Sequence, residues 1–373
     1  MKERCTWLTR GFMDKKLYAP FIINRDIDYL SDLNQKYELL INKAISSSAD
    51  KESIQIIKKY SKNVINSINA YYNGEIIKSH KIISKLVQEC KNHSLAVDSI
   101  ENSIAFPGIH GTEIQFYRSR TSEKFEEFKA NQMLHLPKTL RTKTGNYRFS
   151  IPGMPSLYLG NTSYVCWLET GKPSAHDFYV SPVIVDSSLR IFNLAVMTRN
   201  IVHLKNLDKD TVHCWLKLIV LMIATSYVIK EENRTFKSEY IVSQSIMLAC
   251  KELGLDGVVY FSKRIEDEIF GYCAINLALF APYDRNNYSS LCEHIKIDDS
   301  FNYAMFNQLL PSLTYKEYDM RINRTGLITN IGNYKRQYPY YETCFYNFDK
   351  FLFSSWEDKD SIKWGNALSN IEE

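Results

Sequence analysis

The stretch from Arg148 to Glu169, RFSIPGMPSLYLGNTSYVCWLE, constrains the fold most, because the backbone must change conformation several times along it. The Pro-Gly-Met-Pro sequence at 152–155 cannot form a regular helix or a central strand, since proline fixes φ and lacks an amide donor. Residues 157–159 predict a short strand, and Asn161 or Thr162 can then cap a helix. An arginine, a tyrosine and a glutamate thus arrive from a turn, a strand and a helix, which is typical of a functional site.

Composition and charge exclude several classes of protein. The 373 residues are 45% hydrophobic and 24% charged, which is ordinary for a globular chain of two or three domains. The net charge of +4 is too small to predict a nucleic-acid partner. The eight cysteines form no CxxC pair and no zinc-like spacing with histidine, so we expect reduced thiols and no metal.

No segment of the sequence predicts a membrane or secretion role. The first residues lack the apolar core of a signal peptide. The longest apolar run, Leu218 to Ala224, is too short to span a bilayer and predicts a buried helix. We therefore expect a cytoplasmic protein with no membrane partner.

Residues 1–105 predict a small antiparallel helical bundle. Apolar residues recur at helical spacing in three runs, at 27–41, 54–68 and 76–87. Polar breaks at 46–50 and 73–74 separate the runs, as expected for short helix connections.

This bundle resembles in architecture the HEPN-like amino-terminal domains that accompany certain prokaryotic toxins. Catalytic HEPN ribonucleases carry an arginine and a histidine a few residues apart on one helix. Here the first histidine is His80, and no such pair is present in the region. We therefore interpret the bundle as a scaffold or a regulatory module.

The hydrophobic period changes after residue 105, where mixed strands and helices begin. Because they show no regular βαβ repeat, the fold class is predicted to be α+β, with this domain at 106–285. The predicted strands are 113–120, 178–186, 258–261 and 272–281, and the predicted helices are 212–229 and 238–253.

Residues 286–373 predict an aromatic-rich C-terminal extension. A helix is expected at 301–310, and 334–356 is crowded with Tyr, Phe and Trp. These rings are expected to pack on the preceding domain or on a partner subunit, so a homo-oligomer is expected.

Common catalytic motifs are absent from the sequence, including GxGxxG, the Walker loop, HExxH and GxSxG. What remains is a set of polar residues at the ends of predicted elements. Each one alone is ordinarily structural, as a surface ion pair, a core tyrosine or a helix-end charge. These residues are Arg118, Arg148, Ser150, Tyr158, Glu169 and Ser262.

Taken together, five ordered motifs resemble the RES domain, which is named for an Arg, a Glu and a Ser. They are FYRSR at 116–120, RFSIPGMPSLYLG at 148–160, the helix holding Glu169, SEYIVSQ at 238–244 and LDGVVYFS at 255–262. The RES family is similar in fold to ADP-ribosyltransferases, which implies a split sheet of mixed or antiparallel strands.

The resemblance also implies an activity. RES toxins destroy NAD⁺ by hydrolysis or phosphorolysis, so we expect an NAD⁺ glycohydrolase or phosphorylase that acts as a toxin or defence effector. NAD⁺ would be the substrate, no further cofactor is expected, and a neutralising or regulatory protein partner is expected.

The residue types suit cleavage of the nicotinamide–ribose bond. Arg118 and Arg148 would bind the pyrophosphate, because guanidinium groups bind phosphate bidentately. Tyr158 would stack on the cationic nicotinamide ring. Glu169 would hold the ribose hydroxyls and stabilise an oxocarbenium-like transition state. These three are the predicted catalytic residues, and the predicted substrate-binding residues are Arg118, Ser150 and Ser262.

Two alternatives use the same residues differently. The first is an ADP-ribosyltransferase that modifies a macromolecule. The second is a non-catalytic RES-like module that binds or assembles through its helical and aromatic ends.

Overall fold

The computed structural model describes most of the chain and shows an α+β protein, which confirms the predicted fold class. The structure describes residues 7, 14–23, 28–103, 105, 113–196, 207–229, 234–265, 274–312, 330–333, 336–354, 362–369 and 371.

The helices alternate irregularly with the strands along the chain. The α-helices are α1 Tyr29–Ser46, α2 Lys51–Tyr72, α3 Ile76–Gln88, α4 Ala130–Met133, α5 Ser163–Glu169, α6 Lys209–Thr225, α7 Ile241–Glu252, α8 Tyr303–Leu309, α9 Cys344–Ser354 and α10 Asn366–Ser369. The strands are β1 Phe21–Ile22, β2 Val97–Ser99, β3 Glu113–Thr121, β4 Ser156–Gly160, β5 Phe178–Asp186, β6 Arg190–Asn193, β7 Tyr227–Val228, β8 Gly257–Phe261, β9 Ile275–Phe280, β10 Ile295–Ile297, β11 Phe301–Asn302, β12 Asn330–Asn333 and β13 Arg336–Pro339.

The three helical runs predicted near the N-terminus form α1, α2 and α3. Aspartates at the N-caps begin the first two: Asp28 accepts the amides of residues 30 and 31, and Asp50 accepts the amide of Ser53. Gly74 takes φ +79° just after α2, a conformation that glycine adopts without strain. Within the described helices, none is both long enough and apolar enough to cross a membrane.

The N-terminal helices share one hydrophobic core with α6 and α7. The hydroxyl of Tyr37 donates to the carbonyl of Val220 at 2.9 Å, and that of Tyr29 donates to Ala224 at 2.8 Å. Strand β2, which follows α3, pairs with β6 at the edge of the main sheet. The helices are therefore packed on the rest of the protein, while the domain boundary near residue 105 stays a prediction.

The main sheet consists of two half-sheets that meet at one residue pair: the first contains β10, β5, β3 and β11, and the second contains β4, β9, β8, β6 and β2. Its order is β10-β5-β3-β4-β9-β8-β6-β2, with β11 also pairing with β5. Strand β3 pairs with β5 from Glu113 to Thr121, but it meets β4 only where Tyr117 lies opposite Gly160. The strands are antiparallel except for the parallel pair β6–β8, so the sheet is mixed and split.

Gly160 is confined by its neighbours at this junction. A Cβ added there would lie 2.9 Å from the Cys166 sulfur and 3.2 Å from the Thr162 carbonyl oxygen. Both atoms belong to the start of α5, which folds back directly after β4. Glycine therefore lets the chain turn from strand to helix at the point where the half-sheets join.

Two predicted helices are wrong at one end. The helix predicted at 212–229 ends at Thr225, and Tyr227–Val228 instead form β7, which pairs in parallel with β1. The helix predicted at 301–310 begins only after Asn302. The side chain of Asn302 caps the helix by accepting the amides of Ala304 and Met305. Long-range strand pairing and a cap override the local apolar pattern in these two cases.

Three other predicted elements are confirmed with shifted bounds. The strand predicted at 272–281 is β9, Ile275–Phe280, and residues 272 and 273 lie outside the described residues. The helix predicted at 238–253 is a 3₁₀ turn at Ser238–Tyr240 followed by α7. The strand predicted at 258–261 is β8, which begins one residue earlier.

Aromatic residues of the C-terminal segment pack against the first half-sheet. Phe348 lies 4.9 Å from Phe306 and 5.1 Å from Tyr303, measured between ring centroids. These rings form a core with Val180 of β5 and Tyr117 of β3. The segment thus covers one face of β5 and β3.

Packing of the N-terminal helices predicts unequal effects of two isoleucine truncations. Ile57 on α2 is completely buried, whereas Ile77 on α3 is 72% exposed. Ile57→Ala should lower the free energy of unfolding by about 2–5 kcal/mol, because it leaves a cavity. Ile77→Ala should change it by less than about 0.5 kcal/mol. Urea denaturation followed by circular dichroism measures both, and equal losses would contradict the described packing.

Candidate active site

A cleft of about 690 Å³ lies beside the junction of the half-sheets. Its size is typical of a small-molecule site. Among the described lining residues Glu169 is the one carboxylate, and six side chains are basic. The basic residues are Arg118, Arg120, Arg148, Lys237, Lys263 and Arg264.

Glu169 is the last residue of α5 and is held by two donors on one oxygen. Its Oε1 accepts the Ser262 hydroxyl at 2.6 Å and the Asn276 amide at 2.6 Å. Its Oε2 makes no hydrogen bond to another described residue. Hydrogen bonds to a carboxylate are strong, so these two fix the direction of the acid while one oxygen stays available.

Ser262 contacts Glu169 but is not among the described residues that line the cleft. It directly follows β8 and is 4% exposed, and its amide donates to the carbonyl of Ala274 at 2.8 Å. Its hydroxyl proton faces the carboxylate in this structure. Direct contact of Ser262 with a substrate therefore stays a prediction, whereas its contact with Glu169 is observed.

Arg148 and Ser150 lie on a loop that α7 holds in place. The Gln244 side-chain amide donates to the carbonyls of Tyr147 at 3.1 Å and Ser150 at 3.0 Å. The same amide also donates to Asn146 Oδ1 at 2.6 Å. The loop geometry thus depends on one glutamine of the SEYIVSQ motif.

The guanidinium of Arg148 is buried at the inner end of the cleft. It donates to the Thr225 carbonyl at 3.1 Å and lies 4.0 Å from the centre of the Tyr260 ring. The side chain is 8% exposed, so a cation–π contact and one carbonyl fix its position.

Arg118 lies where β3 and β4 separate. Its Nη1 donates to the Tyr158 carbonyl at 3.0 Å, and its Nη2 donates to the Leu134 carbonyl at 3.4 Å. Arg120 donates to the same Leu134 carbonyl at 3.3 Å. Burial, together with the neighbouring Arg120 charge, lowers the pKa of Arg118 to about 9, so the guanidinium is still a cation at neutral pH.

Tyr158 contributes an aromatic ring to the wall of the cleft. The Tyr147 ring meets it edge to face, with centroids 6.0 Å apart. Burial raises the pKa of Tyr158, and the nearby Ser150 hydroxyl offsets this in part. Neither the Tyr158 hydroxyl nor the Ser150 hydroxyl has a well-formed hydrogen bond to another described group. Of the six predicted residues, the cleft therefore brings five together: Arg118, Arg148, Ser150, Tyr158 and Glu169.

Several polar residues of the cleft were not predicted from the sequence, among them Asn276 and Lys263. Asn276, which holds Glu169, is the one polar side chain within the apolar run of β9, and this isolation was a usable signal. Lys263 follows Ser262 and donates its Nζ to the Tyr227 carbonyl. Burial and the nearby Arg148 charge lower the pKa of Lys263 well below its usual range. Lys263 had no such signal, because its partner lies on a strand that the sequence did not predict.

His135 lines the cleft as a neutral ring. Its Nε2 accepts the Ser289 amide at 3.0 Å, and its Nδ1 lies 2.9 Å from the Leu136 carbonyl. Burial lowers the pKa of His135 to about 4, in agreement with an accepting Nε2. Its role is thus to connect two loops.

A family model for the RES domain matches residues 116–304, just over half of the chain. The chain therefore belongs to the RES domain family, and the family prediction is confirmed. The five motifs at 116–262 lie inside the match. The N-terminal helices lie outside it, so their HEPN-like resemblance stays a prediction.

A protein named putative toxin YopC, from Bacillus subtilis strain 168, is 28% identical over 261 residues. The match covers 66% of this chain and 56% of that protein, so the chain spans little more than half of that relative's length. The crystal structure of the M. tuberculosis MbcT–MbcA toxin–antitoxin complex aligns with a TM-score of 0.32 and 12% identity. That alignment covers 61% of this chain and 96% of that chain.

The contacts of Gln244 predict that one side chain orders the 146–150 loop. Gln244→Ala removes the donor, and Gln244→Glu places a carboxylate against the carbonyls of Tyr147 and Ser150. Each lost hydrogen bond costs about 1 kcal/mol, and the glutamate adds repulsion. Hydrogen exchange of the loop amides should therefore be faster in the alanine variant and fastest in the glutamate variant. Gln88→Ala, on the exposed face of α3, is the control, and unchanged loop exchange in both variants would refute the clamp.

Proposed function

We propose that the protein is an NAD⁺-degrading enzyme that cleaves the nicotinamide–ribose bond and acts as a toxin. The observation that carries the proposal is Glu169, which two donors hold and which is the one carboxylate, beside six basic side chains, among the described residues that line the cleft. Membership of the RES family supports it, as does a relative whose name is putative toxin.

The basic side chains suit the pyrophosphate of NAD⁺. Arg118 Nε, Arg120 Nε and Thr144 Oγ1 are buried and make no hydrogen bond to another described residue. All three residues line the cleft, and guanidinium groups match the geometry of phosphate oxygens. The cleft is therefore suited to a substrate with several anionic oxygens.

The remaining groups suit the reacting end of the substrate. The Tyr158 ring would contact the cationic nicotinamide. As the C1′–N1 bond breaks, its electron pair leaves with neutral nicotinamide and positive charge develops on the ribose. The free Oε2 of Glu169 would hold a ribose hydroxyl near that charge, so its stabilisation grows in the transition state.

The nucleophile completes the reaction. Water would form the new C–O bond and lose a proton, which yields ADP-ribose, nicotinamide and H⁺. Inorganic phosphate in place of water would yield ADP-ribose 1-phosphate, and the same Glu169 geometry serves both reactions. Transfer of ADP-ribose to a macromolecule differs in the acceptor alone, so product analysis distinguishes all three. The proposal includes a second protein that would bind this protein and neutralise its activity.

The role proposed for Glu169 predicts that Glu169→Gln abolishes turnover without unfolding. The amide keeps the size and one accepting oxygen but lacks the charge, so NAD⁺ consumption should fall at least about 100-fold. Nicotinamide release is measured by chromatography, with and without phosphate, and circular dichroism checks the fold. Glu123→Gln, at an exposed position, is the matched control.

Two outcomes would reject the proposal. Wild-type protein that leaves NAD⁺ intact when incubated alone, but consumes it to label an added protein or RNA with ADP-ribose, is a transferase. Wild-type protein that does neither is a binding module.

The role proposed for Tyr158 predicts different effects of two substitutions. Tyr158→Phe keeps the ring, so KM for NAD⁺ should stay within about threefold. Tyr158→Ala removes the ring, and a cation–π contact of about 0.5–2 kcal/mol corresponds to roughly 2–30-fold weaker binding. Steady-state kinetics measure both variants, and equal KM values would exclude the stacking role.

A further inference from the structure

Helix α9 of the C-terminal segment lies against α5, the helix that ends in Glu169. The carboxylate of Asp349 accepts the amide of Ser163, the first residue of α5, at 3.0 Å. The Ser163 hydroxyl donates in turn to the carbonyl of Phe345 at 3.4 Å. The first turn of α5 is thus bonded to a segment almost two hundred residues later in the chain.

Asp349 is built into this junction with both carboxylate oxygens occupied. Its Oδ2 accepts the hydroxyl of Tyr340 at 2.6 Å. The side chain of Asp349 is completely buried, and Tyr340 is 2% exposed. Burial raises the pKa of Asp349 to about 7, while the hydrogen bonds from Ser163 and Tyr340 lower it in part. A buried carboxyl whose two oxygens both accept hydrogen bonds is held in one position, so Asp349 makes a specific contact with α5.

Aromatic packing continues the contact along the outer side of α5. The Phe345 ring lies 5.3 Å from the Tyr164 ring and 5.5 Å from the Trp167 ring, between centroids. It also stacks on Tyr303 at 5.0 Å. The Phe345 ring of α9 therefore packs on two aromatic side chains of α5 and is itself backed by Tyr303 of α8.

Helix α5 needs such support because it has only seven residues. Helices of this length are unstable alone and depend on tertiary packing. The Thr162 side chain accepts the amide of Val165, and Asp349 accepts that of Ser163, so two first-turn donors are satisfied. At the other end, Glu169 is fixed by Ser262 and Asn276.

We propose that Asp349 is a positioning residue and that α9 is a brace for the helix that carries Glu169. The RES family match ends at residue 304, so this brace lies outside the matched region. The catalytic unit of this chain would then extend to α9. The effect on turnover rests on the proposed function, whereas the effect on α5 does not.

The experiment compares full-length wild type with Asp349→Ala, Asp349→Asn and the control Glu342→Ala, an exposed acid beside the same segment. Hydrogen exchange of peptides covering 160–170 reports the order of α5, and peptides covering β5 report the rest of the sheet. NAD⁺ turnover gives kcat and KM separately.

Asp349→Ala should speed exchange at the start of α5 at least tenfold and leave β5 unchanged. It should lower kcat at least tenfold with KM within threefold, because the acid is misplaced while the cations stay. Asp349→Asn keeps an oxygen that can accept from Ser163, so it should restore most of both values. Glu342→Ala should match wild type.

If the α5 amides of Asp349→Ala exchange at the same rate as those of wild type, the proposal that α9 braces α5 is overturned. The proposal is also overturned if amides throughout the sheet exchange faster in Asp349→Ala and equally fast in Asp349→Asn. Asp349 would then stabilise the whole fold and not α5 in particular. If wild type does not consume NAD⁺, the proposed function fails, and the exchange measurement still tests the brace.

Discussion

The single meeting of β3 and β4 at Tyr117 and Gly160 is the constraint on which the rest depends. Because the half-sheets share one residue pair, they separate beyond it and leave the cleft that holds Arg118 and Tyr158. A side chain at Gly160 would collide with the start of α5, so the same glycine also sets where Glu169 can lie. Strand, helix and cleft therefore depend on one position without a Cβ.

From this junction outward, the site is held by contacts between distant segments. Glu169 joins α5 to β8 and β9 through Ser262 and Asn276. Gln244 joins the Arg148 loop to α7, and α7 shares its core with the N-terminal helices. The N-terminal helices, which lie outside the family match, thus support the cleft indirectly, through their packing on α7.

The sequence predicted what local pattern and motif determine. The three N-terminal helices and β5 follow from periodicity, and five of the six predicted site residues line the cleft. What it missed depends on partners far apart in the chain. Asn276 is 107 residues from Glu169, and β7 forms because β1 offers an edge to an otherwise helical pattern. The motif singled out Ser262 as a substrate-binding residue, and that role stays a prediction; its hydrogen bond to Glu169 did not follow from the spacing.

The dependence of α5 on α9 has a consequence for the timing of synthesis. Residue 349 leaves the ribosome 73 positions after residue 276, the last of the described residues that line the cleft, which at common elongation rates is roughly 4–15 s. During that interval the nascent chain has the acid and its cationic cleft but not the contact that orders the helix. Under both proposals, the nascent chain would cleave NAD⁺ at least tenfold more slowly until residue 349 has emerged, so activity would lag behind completion of the cleft itself.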